Sequence, residues 1–397
     1  MLLKNGRIRI GNELVKKDIL IDGNKIIKIE DCIEGDGIDL ENGYVCPGLT
    51  DLHVHFREPG NTAKETIKTG SLASAKGGYT TVFLMPNLTP CPDSLDNLKV
   101  EEEIIERDSV IKSIPYASVS VSEKGEVMSD IKNLKTHTRY FSDDGVGVNN
   151  IDLLDNALKL IKENDLFIAS HAEDSVYKTL PEGEYVAVRR EIEEAKKFNC
   201  PYHFCHMSTK ESFEAIKKAQ DEGYPITCEV TPHHLFLNEE MIKGNTNYKM
   251  NPPLRSEENR IATLNALLSN VASVVSTDHA PHTKEEKDRE YSKAPNGIIG
   301  IETAAPLVYT NLVRTKLINL KKFEDIMSNN ALRLAKLPIN EIKEGAIANL
   351  CVLDIDNLHT YEENEILSKG HNCPYIGMSL YGFNKLTVYN GNIVYKK

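Results

Sequence analysis

Residues 43–60 read GYVCPGLTDLHVHFREPG. The stretch up to Thr50 is apolar and reads as a buried strand. Alternate residues of a strand face the same way, so His53 and His55 share a face, and Arg57 follows on it if the extended run continues. Two imidazoles and a guanidinium at the end of a buried strand suit chemistry better than packing.

Working outward, seven further strand-like segments follow 45–56: 80–87, 112–121, 139–144, 166–173, 202–208, 225–233 and 271–279. Amphipathic stretches such as AKETIKTGSLASAKGG and TKESFEAIKKAQDEG separate them. Eight strands alternating with helical crossovers predict an α/β fold, a (β/α)8 TIM barrel. A doubly wound open sheet is the alternative, but no GxGxxG follows a strand. The two ends of the chain differ from the middle. KKDILIDGNKIIKIE near the start, and GAIANLCVLDID and KLTVYNGNIVYKK near the end, are alternating strands around Asp-Gly and Asn-Gly turns. We therefore expect residues 1–46 and 343–397 to form a small β-sandwich together, with the barrel spanning 47–342.

Composition narrows the classes. An apolar share of 40% and a charged share of 27% describe an ordinary globular protein. The net charge of −12, without a Lys/Arg run, argues against nucleic acid and anionic membranes as partners. No stretch approaches the roughly 20 apolar residues of a membrane span. MLLKNGRIRI lacks the apolar core of a signal peptide. The eight cysteines contain no Cys-x-x-Cys pair and read as reduced thiols of a cytoplasmic protein.

Polar residues gather where the predicted strands end: His53 and His55, Asn87 in MPNLTP, Asp143 and Asp144 in FSDDG, His171 in ASHAED, His206 in FCHMSTKES, and Asp278 and His279 in STDHAPH. In a (β/α)8 barrel those ends form the active-site face. Four histidines and at least two aspartates thus converge, a donor set for Zn²⁺ or a similar divalent ion. In FSDDG one aspartate is expected to cap or turn while the other binds metal. Cys205 adjoins a proposed ligand but faces the other way and reads as core. At least one of His233 and His234 reads as a packing or locally bonded residue and neither is taken as a ligand; His137, His203, His359 and His371 also read as packing residues.

The motifs PGLTDLHVHFREPG, MPN, FSDDGVGV, SHAED, HMSTKES, NYKMNPPLR and STDHAPHTKEEK, in this order along nearly the whole chain, resemble the amidohydrolase superfamily and most closely the class I dihydroorotases. That resemblance implies a barrel with a β-sandwich built from both termini. It implies His53, His55 and Asp278 as ligands of one metal, His171 and His206 as ligands of a second, and Asp144 as a bridge, with one or two Zn²⁺ per subunit. His55, Arg57, Asn87, Asn251 and His282 match substrate-binding positions, as do Asn296 and Gly297. Many relatives carry Phe-Gly where this chain has Asn296-Gly297.

The implied reaction is the reversible cyclisation of N-carbamoyl-L-aspartate to L-dihydroorotate in pyrimidine biosynthesis, with water activated at the metal and Asp278 carrying the proton. Arg57 offers a planar fork for the substrate carboxylate. Hydantoinases and allantoinases are the alternative reading, since they share the metal face but act on substrates without that carboxylate. A non-catalytic dihydroorotase-like scaffold is a third, against which every expected ligand position is filled. Association with aspartate transcarbamoylase stays open. The charged segment 282–297 reads as a solvated loop or as a cover over substrate.

Overall fold

The computed structural model describes residues 1–397. It begins with β1 (Leu2–Ile10), β2 (Glu13–Asp22), β3 (Lys25–Glu30), the two-residue β4 (Ile38–Asp39) and β5 (Tyr44–Pro47). The turn from β2 to β3 is made by Gly23 and Asn24, because Asp22 already pairs with Lys25 across the ladder. Only Gly48 separates β5 from the first barrel strand.

The barrel strands are β6 (Leu49–Val54), β7 (Tyr79–Leu84), β8 (Lys112–Pro115) with its continuation β9 (Ala117–Ser118), β10 (Tyr140–Ser142), β11 (Phe167–Ser170), β12 (Tyr202–Phe204), β13 (Ile226–Val230) and β14 (Val274–Val275). Neighbours pair in parallel, in the runs β6–β7–β8 and β9 through β14. Two contacts close the ring. Tyr116 N donates to Leu84 O at 2.9 Å, which carries the first run into the second. Val54 forms a parallel bridge with His279, and His55 N donates to His279 O at 2.8 Å. This is the eight-stranded α/β barrel expected from the alternation of segments.

Most strands are shorter than the apolar runs suggested, and at β10 a polar side chain intercepts the ladder. β10 stops at Ser142, one residue before Asp143. The Asp143 carboxylate accepts from Val119 N (2.7 Å) and Ser120 N (3.0 Å), replacing strand pairing with a side-chain turn. Several helices start on side-chain caps that satisfy their first free N–H groups. Thr66 and Thr69 form a capping box on Ile67–Lys76, and Asn150 caps Ile151–Glu163.

Buried residues from successive strands, including Leu52, Phe83, Tyr116, Tyr140, Ala169, Cys205 and Val274, form one cluster with Ala331 and Ala335. Only the inner face of the barrel brings residues from seven of the eight strands and their ends together, so this is the barrel floor. Cys205 belongs to it and is core as expected, but it does not face away from the ligands: it points into the barrel beside His53 and Glu229. A second cluster of 60 buried residues packs the outer faces of the strands against the helices.

After the barrel come β15 (Leu350–Asp354), a two-stranded ribbon of β16 (His359–Thr360) and β17 (Ser379–Leu380), then β18 (Phe383–Tyr389) and β19 (Asn392–Lys396). β15, β18 and β19 join β1–β5 in one sheet, ordered β19-β18-β15-β5-β1-β2-β3 with β4 on β1. The sheet curls until its β3 edge meets the chain entering β15: Ile26 N donates to Ala346 O and Gly345 N to Ile26 O. The layers so formed enclose 12 buried residues, among them Ile19, Val45, Leu350 and Val388. The unit expected from both termini is thus a single sheet folded over its own core. No helix of the protein is long and apolar enough to cross a membrane.

Candidate active site

His53 lies within the last turn of β6, and His55 directly follows that strand. Asp144 follows β10, His171 follows β11, His206 lies just past β12, and Asp278 lies past β14. His206 (φ +39°) and Asp278 (φ +48°) sit in the left-handed region, which non-glycine residues rarely adopt. That backbone turn aims both side chains across the barrel mouth instead of along the strand.

Six side chains meet there. His55 Nε2 is 3.1 Å and His53 Nε2 3.6 Å from Asp278 Oδ1. Asp144 Oδ1 is 3.3 Å from His53 Nε2, 3.6 Å from His206 Nε2 and 3.7 Å from His171 Nδ1, while its Oδ2 is 3.5 Å from His55 Nε2. His171 Nδ1 lies 3.0 Å from His206 Nε2. His53 Nε2 and Asp144 Oδ1 are buried without a hydrogen-bond partner. A buried lone pair left unpaired is costly, and several converging on one point are the signature of a cation site. The donors are imidazole nitrogen and carboxylate oxygen, which suits a divalent ion of the zinc type. Asp144 is the one side chain whose two oxygens face both sets of histidines.

The electrostatics hold His55 and Asp278 in their ligating forms, while the Asp144 carboxylate raises His53, and Glu173 with Asp144 raises His171, so a metal there would displace a proton. His55 is brought down to about 4 by burial and by the Arg57 charge, so its ring is neutral at pH 7 and its lone pair is free. Burial would raise the Asp278 carboxyl, but the bond to His55 and the neighbouring imidazoles hold it at about 2.

Behind the ligands stands a group the sequence reading missed. Glu229 of β13 is fully buried, with Oε1 3.0 Å from His53 Nδ1 and Oε2 3.2 Å from His203 Nε2. Ser276 Oγ donates to Oε2 at 2.5 Å. Burial would raise this carboxyl, yet the bonds from His203 and His53 hold it well below the usual carboxylate range. An ionised Glu229 keeps the proton on His53 Nδ1 and leaves Nε2 for the cavity. The available signal was a lone acid inside the apolar run PITCEVTPH. Asp51 was also missed. Its oxygens accept from Thr277 N (3.1 Å each) and from His53 N (3.0 Å), tying the first strand to the segment that carries Asp278.

A cavity of about 210 Å³ opens over these ligands, bounded further by Arg57, Asn87, Asn251, Asn296 and Gly297. Arg57 does not reach it by strand alternation. β6 has ended, and Arg57 itself is left-handed at φ +58°. Its guanidinium forms no ion pair, since Glu58 instead accepts from Ile67 N at the start of a helix (2.9 Å). Asn87 Nδ2 donates to Asp144 O (2.6 Å) and Glu123 Oε1 (3.0 Å). Asn251 Nδ2 lies 3.2 Å from His171 Nε2 and donates to Glu173 Oε2 at 2.9 Å, while its Oδ1 is buried and unpartnered.

Three of the sequence candidates stand differently from the rest. His282 is outside the cavity lining, its Nε2 2.7 Å from Asn296 O and its Nδ1 3.3 Å from Glu286. Gly297 lines the cavity, but its N–H already donates to Lys249 O at 3.0 Å. Asn296 is exposed at the rim. His234 bonds locally, to Thr231 and to Pro252 O, as expected. A larger groove of about 740 Å³ lies between the outer helices Lys210–Asp221 and Glu257–Leu268. None of the converging ligand residues borders it.

Residues 43–187 match the family described as Dihydro-orotase-like. Over its full length the chain is 40% identical to the dihydroorotase of Fusobacterium nucleatum subsp. nucleatum, covering 98% of that protein. It is 39% identical to the dihydroorotase of Bacillus licheniformis, again over all of this chain and 98% of the relative. Among solved structures, the L-hydantoinase (dihydropyrimidinase) of Arthrobacter aurescens superposes with a TM-score of 0.90 at 23% identity, covering 100% of this chain and 96% of that one. At that identity the likeness speaks for the fold.

Proposed function

The chain belongs to the dihydroorotase family and is an enzyme of that family, a hydrolase of cyclic amides, and on this premise we propose how its residues divide the work. The observation that carries the reading is the convergence of buried, unpartnered imidazole and carboxylate lone pairs beneath a cavity that also holds an unpaired guanidinium. His53, His55 and Asp278 would hold one Zn²⁺ and His171 and His206 a second, with Asp144 between them, its Oδ1 nearest His53, His206 and His171 and its Oδ2 nearest His55.

Bound zinc supplies Lewis acidity, polarising the amide carbonyl and lowering the pKa of water to about 7. The protein's own groups do the rest. In ring opening, Asp278 Oδ takes the proton of the attacking water and returns it to the ring nitrogen as the C–N bond breaks. In cyclisation the same oxygen accepts the proton of the ureido nitrogen and releases it with the departing water. Arg57 pairs with the substrate carboxylate, which stays ionised throughout and costs the guanidinium no partner. Asn87 and Asn251 flank the bound substrate, and the unpartnered Oδ1 of Asn251 is an acceptor for one of its N–H groups. His282 acts through the Asn296 carbonyl it touches, so a direct bond to substrate requires that contact to open. We read the enzyme as cytoplasmic, with association to aspartate transcarbamoylase to be tested by co-purification.

The deciding experiment compares dihydroorotate and hydantoin on protein of measured metal content. Faster turnover of dihydroorotate, lost on chelation and restored by zinc, supports the reading. Equal or faster turnover of hydantoin overturns it in favour of a hydantoinase.

A further inference from the structure

The segment after the last barrel strand carries a lysine that the reaction does not use. Lys287 ends the short helix Lys284–Lys287 and is only 4% exposed. It has no carboxylate within ion-pair distance. Its ammonium instead donates to three backbone carbonyls: Lys249 O (3.3 Å), Pro295 O (3.1 Å) and Gly297 O (2.9 Å). An ammonium has three N–H donors and no acceptor, so this cradle satisfies it completely. Burial and the neighbouring Lys249 charge pull it down to about 8, which leaves it protonated at pH 7.

The three carbonyls belong to two separate walls of the cavity. Lys249 lies two residues before Asn251, while Pro295 and Gly297 flank Asn296. Gly297 N–H closes the same junction by donating to Lys249 O, and Asn372 Nδ2 donates to Gly297 O at 3.0 Å. Gly297 adopts φ +131°, and a Cβ there would sit 2.8 Å from Ala280 O and 2.9 Å from His282 Nε2. Its backbone can therefore approach the cavity only as glycine, and it stays there only if held. Lys249 Nζ fastens the outer part of the same loop through Tyr291 O (2.6 Å) and Ala294 O (2.6 Å).

We infer that Lys287 is a positioning residue that joins the Asn251 wall to the Asn296–Gly297 rim, so that this side of the substrate cavity is built before substrate arrives. The inference rests on the reading that this cavity holds the substrate. A charged, polar-looking run such as HTKEEKDREYSKAPNG is then a pinned wall and not a mobile cover.

The test uses metal-loaded, full-length enzyme with dihydroorotate. Lys287→Met should raise KM about tenfold, the scale of a lost charge-assisted hydrogen bond, with kcat held within about twofold. Lys287→Arg, which keeps the charge and several donors, should recover most of that loss. An unchanged KM in Lys287→Met, a fall in kcat without a rise in KM, or an arginine variant no better than methionine overturns the proposal. Should Lys287→Met fail to fold, hydrogen exchange on the wild-type protein decides. Slow exchange of the Gly297 amide without ligand supports the pinned wall, and fast exchange that slows only on ligand binding overturns it. Wild-type enzyme inactive on dihydroorotate would strike at the assigned reaction instead, and the exchange measurement would still decide on Lys287.

Discussion

Replacing Glu229 by glutamine changes one atom behind the metal ligands and tests how far the site depends on what lies beneath it. The carboxylate is fully buried, with one oxygen against His53 Nδ1 at 3.0 Å and the other shared by His203 and Ser276. In Glu229→Gln the amide oxygen can stay on His53 Nδ1–H, and the new NH₂ then meets Ser276 Oγ and His203 Nε2, both able to accept. The fold and the His53 tautomer should survive. What disappears is the negative charge that makes His53 Nε2 a stronger donor. Carboxylate partners of ligating histidines are worth about 10- to 100-fold in metal affinity, or roughly 1.4 to 2.8 kcal/mol. The loss should fall on the His53/His55/Asp278 site, whereas His171 and His206, which Glu229 does not touch, should bind zinc within about threefold of wild type. Zinc competition against a chromophoric chelator, with stoichiometry from native mass spectrometry and folding from circular dichroism, measures both sites. A folded mutant whose two sites keep wild-type affinity, or lose it equally, would refute the reasoning.

Asp278→Ala should abolish turnover while the fold survives; more than a few per cent of wild-type activity in folded, metal-loaded mutant removes Asp278 from proton transfer. Arg57→Met should raise the KM for dihydroorotate about tenfold or more, since a charge-assisted bond is worth roughly 1.5–3 kcal/mol, and an unchanged KM would make Arg57 structural. The open substrate carries one more negative charge than the ring, so cyclisation consumes a proton; the equilibrium ratio of ring to open form should fall as pH rises from 6 to 8, and a flat ratio would show that the substrate pair is wrong. Many two-metal relatives bridge their ions with a carboxylated lysine, but RYFSDDG contains no lysine. Activity should therefore return after metal removal without bicarbonate, and Asp144→Asn should weaken the His171/His206 site more than the His53/His55 site. Two tight sites in that mutant would end the bridging role.

The barrel was legible because its evidence is local. Apolar strands alternate with amphipathic helices, and polar residues recur at strand ends, so the frame and the face follow from spacing alone. His-x-His and the clustered aspartates belong to that layer. The rest depends on tertiary neighbours. Glu229 looks like a misfit in an apolar strand until His53, from a strand far away in sequence, supplies its partner. Lys287 looks like one charge among many until three carbonyls surround it, two from the far end of its own loop and one from the segment that carries Asn251. Alternation failed for Arg57 because the chain leaves the strand at Val54 and Arg57 takes a left-handed conformation. The end of β10 came out short because Asp143 spends its oxygens on backbone amides.

The pairing of β5 with β15 has a consequence for how the chain is made. Cys46 stands opposite Cys351, 305 residues later in the chain. At the usual 5–20 residues per second, a ribosome needs roughly 15 to 60 s to travel from one to the other. Throughout that interval one edge of β5 lacks its neighbour, and one residue beyond it begins the strand that bears His53. The nascent chain thus carries an open, apolar strand edge until β15 emerges, and such edges recruit foreign strands. Lower growth temperature or added chaperone should therefore raise the yield of folded enzyme, and a yield unmoved by either would count against this exposed edge.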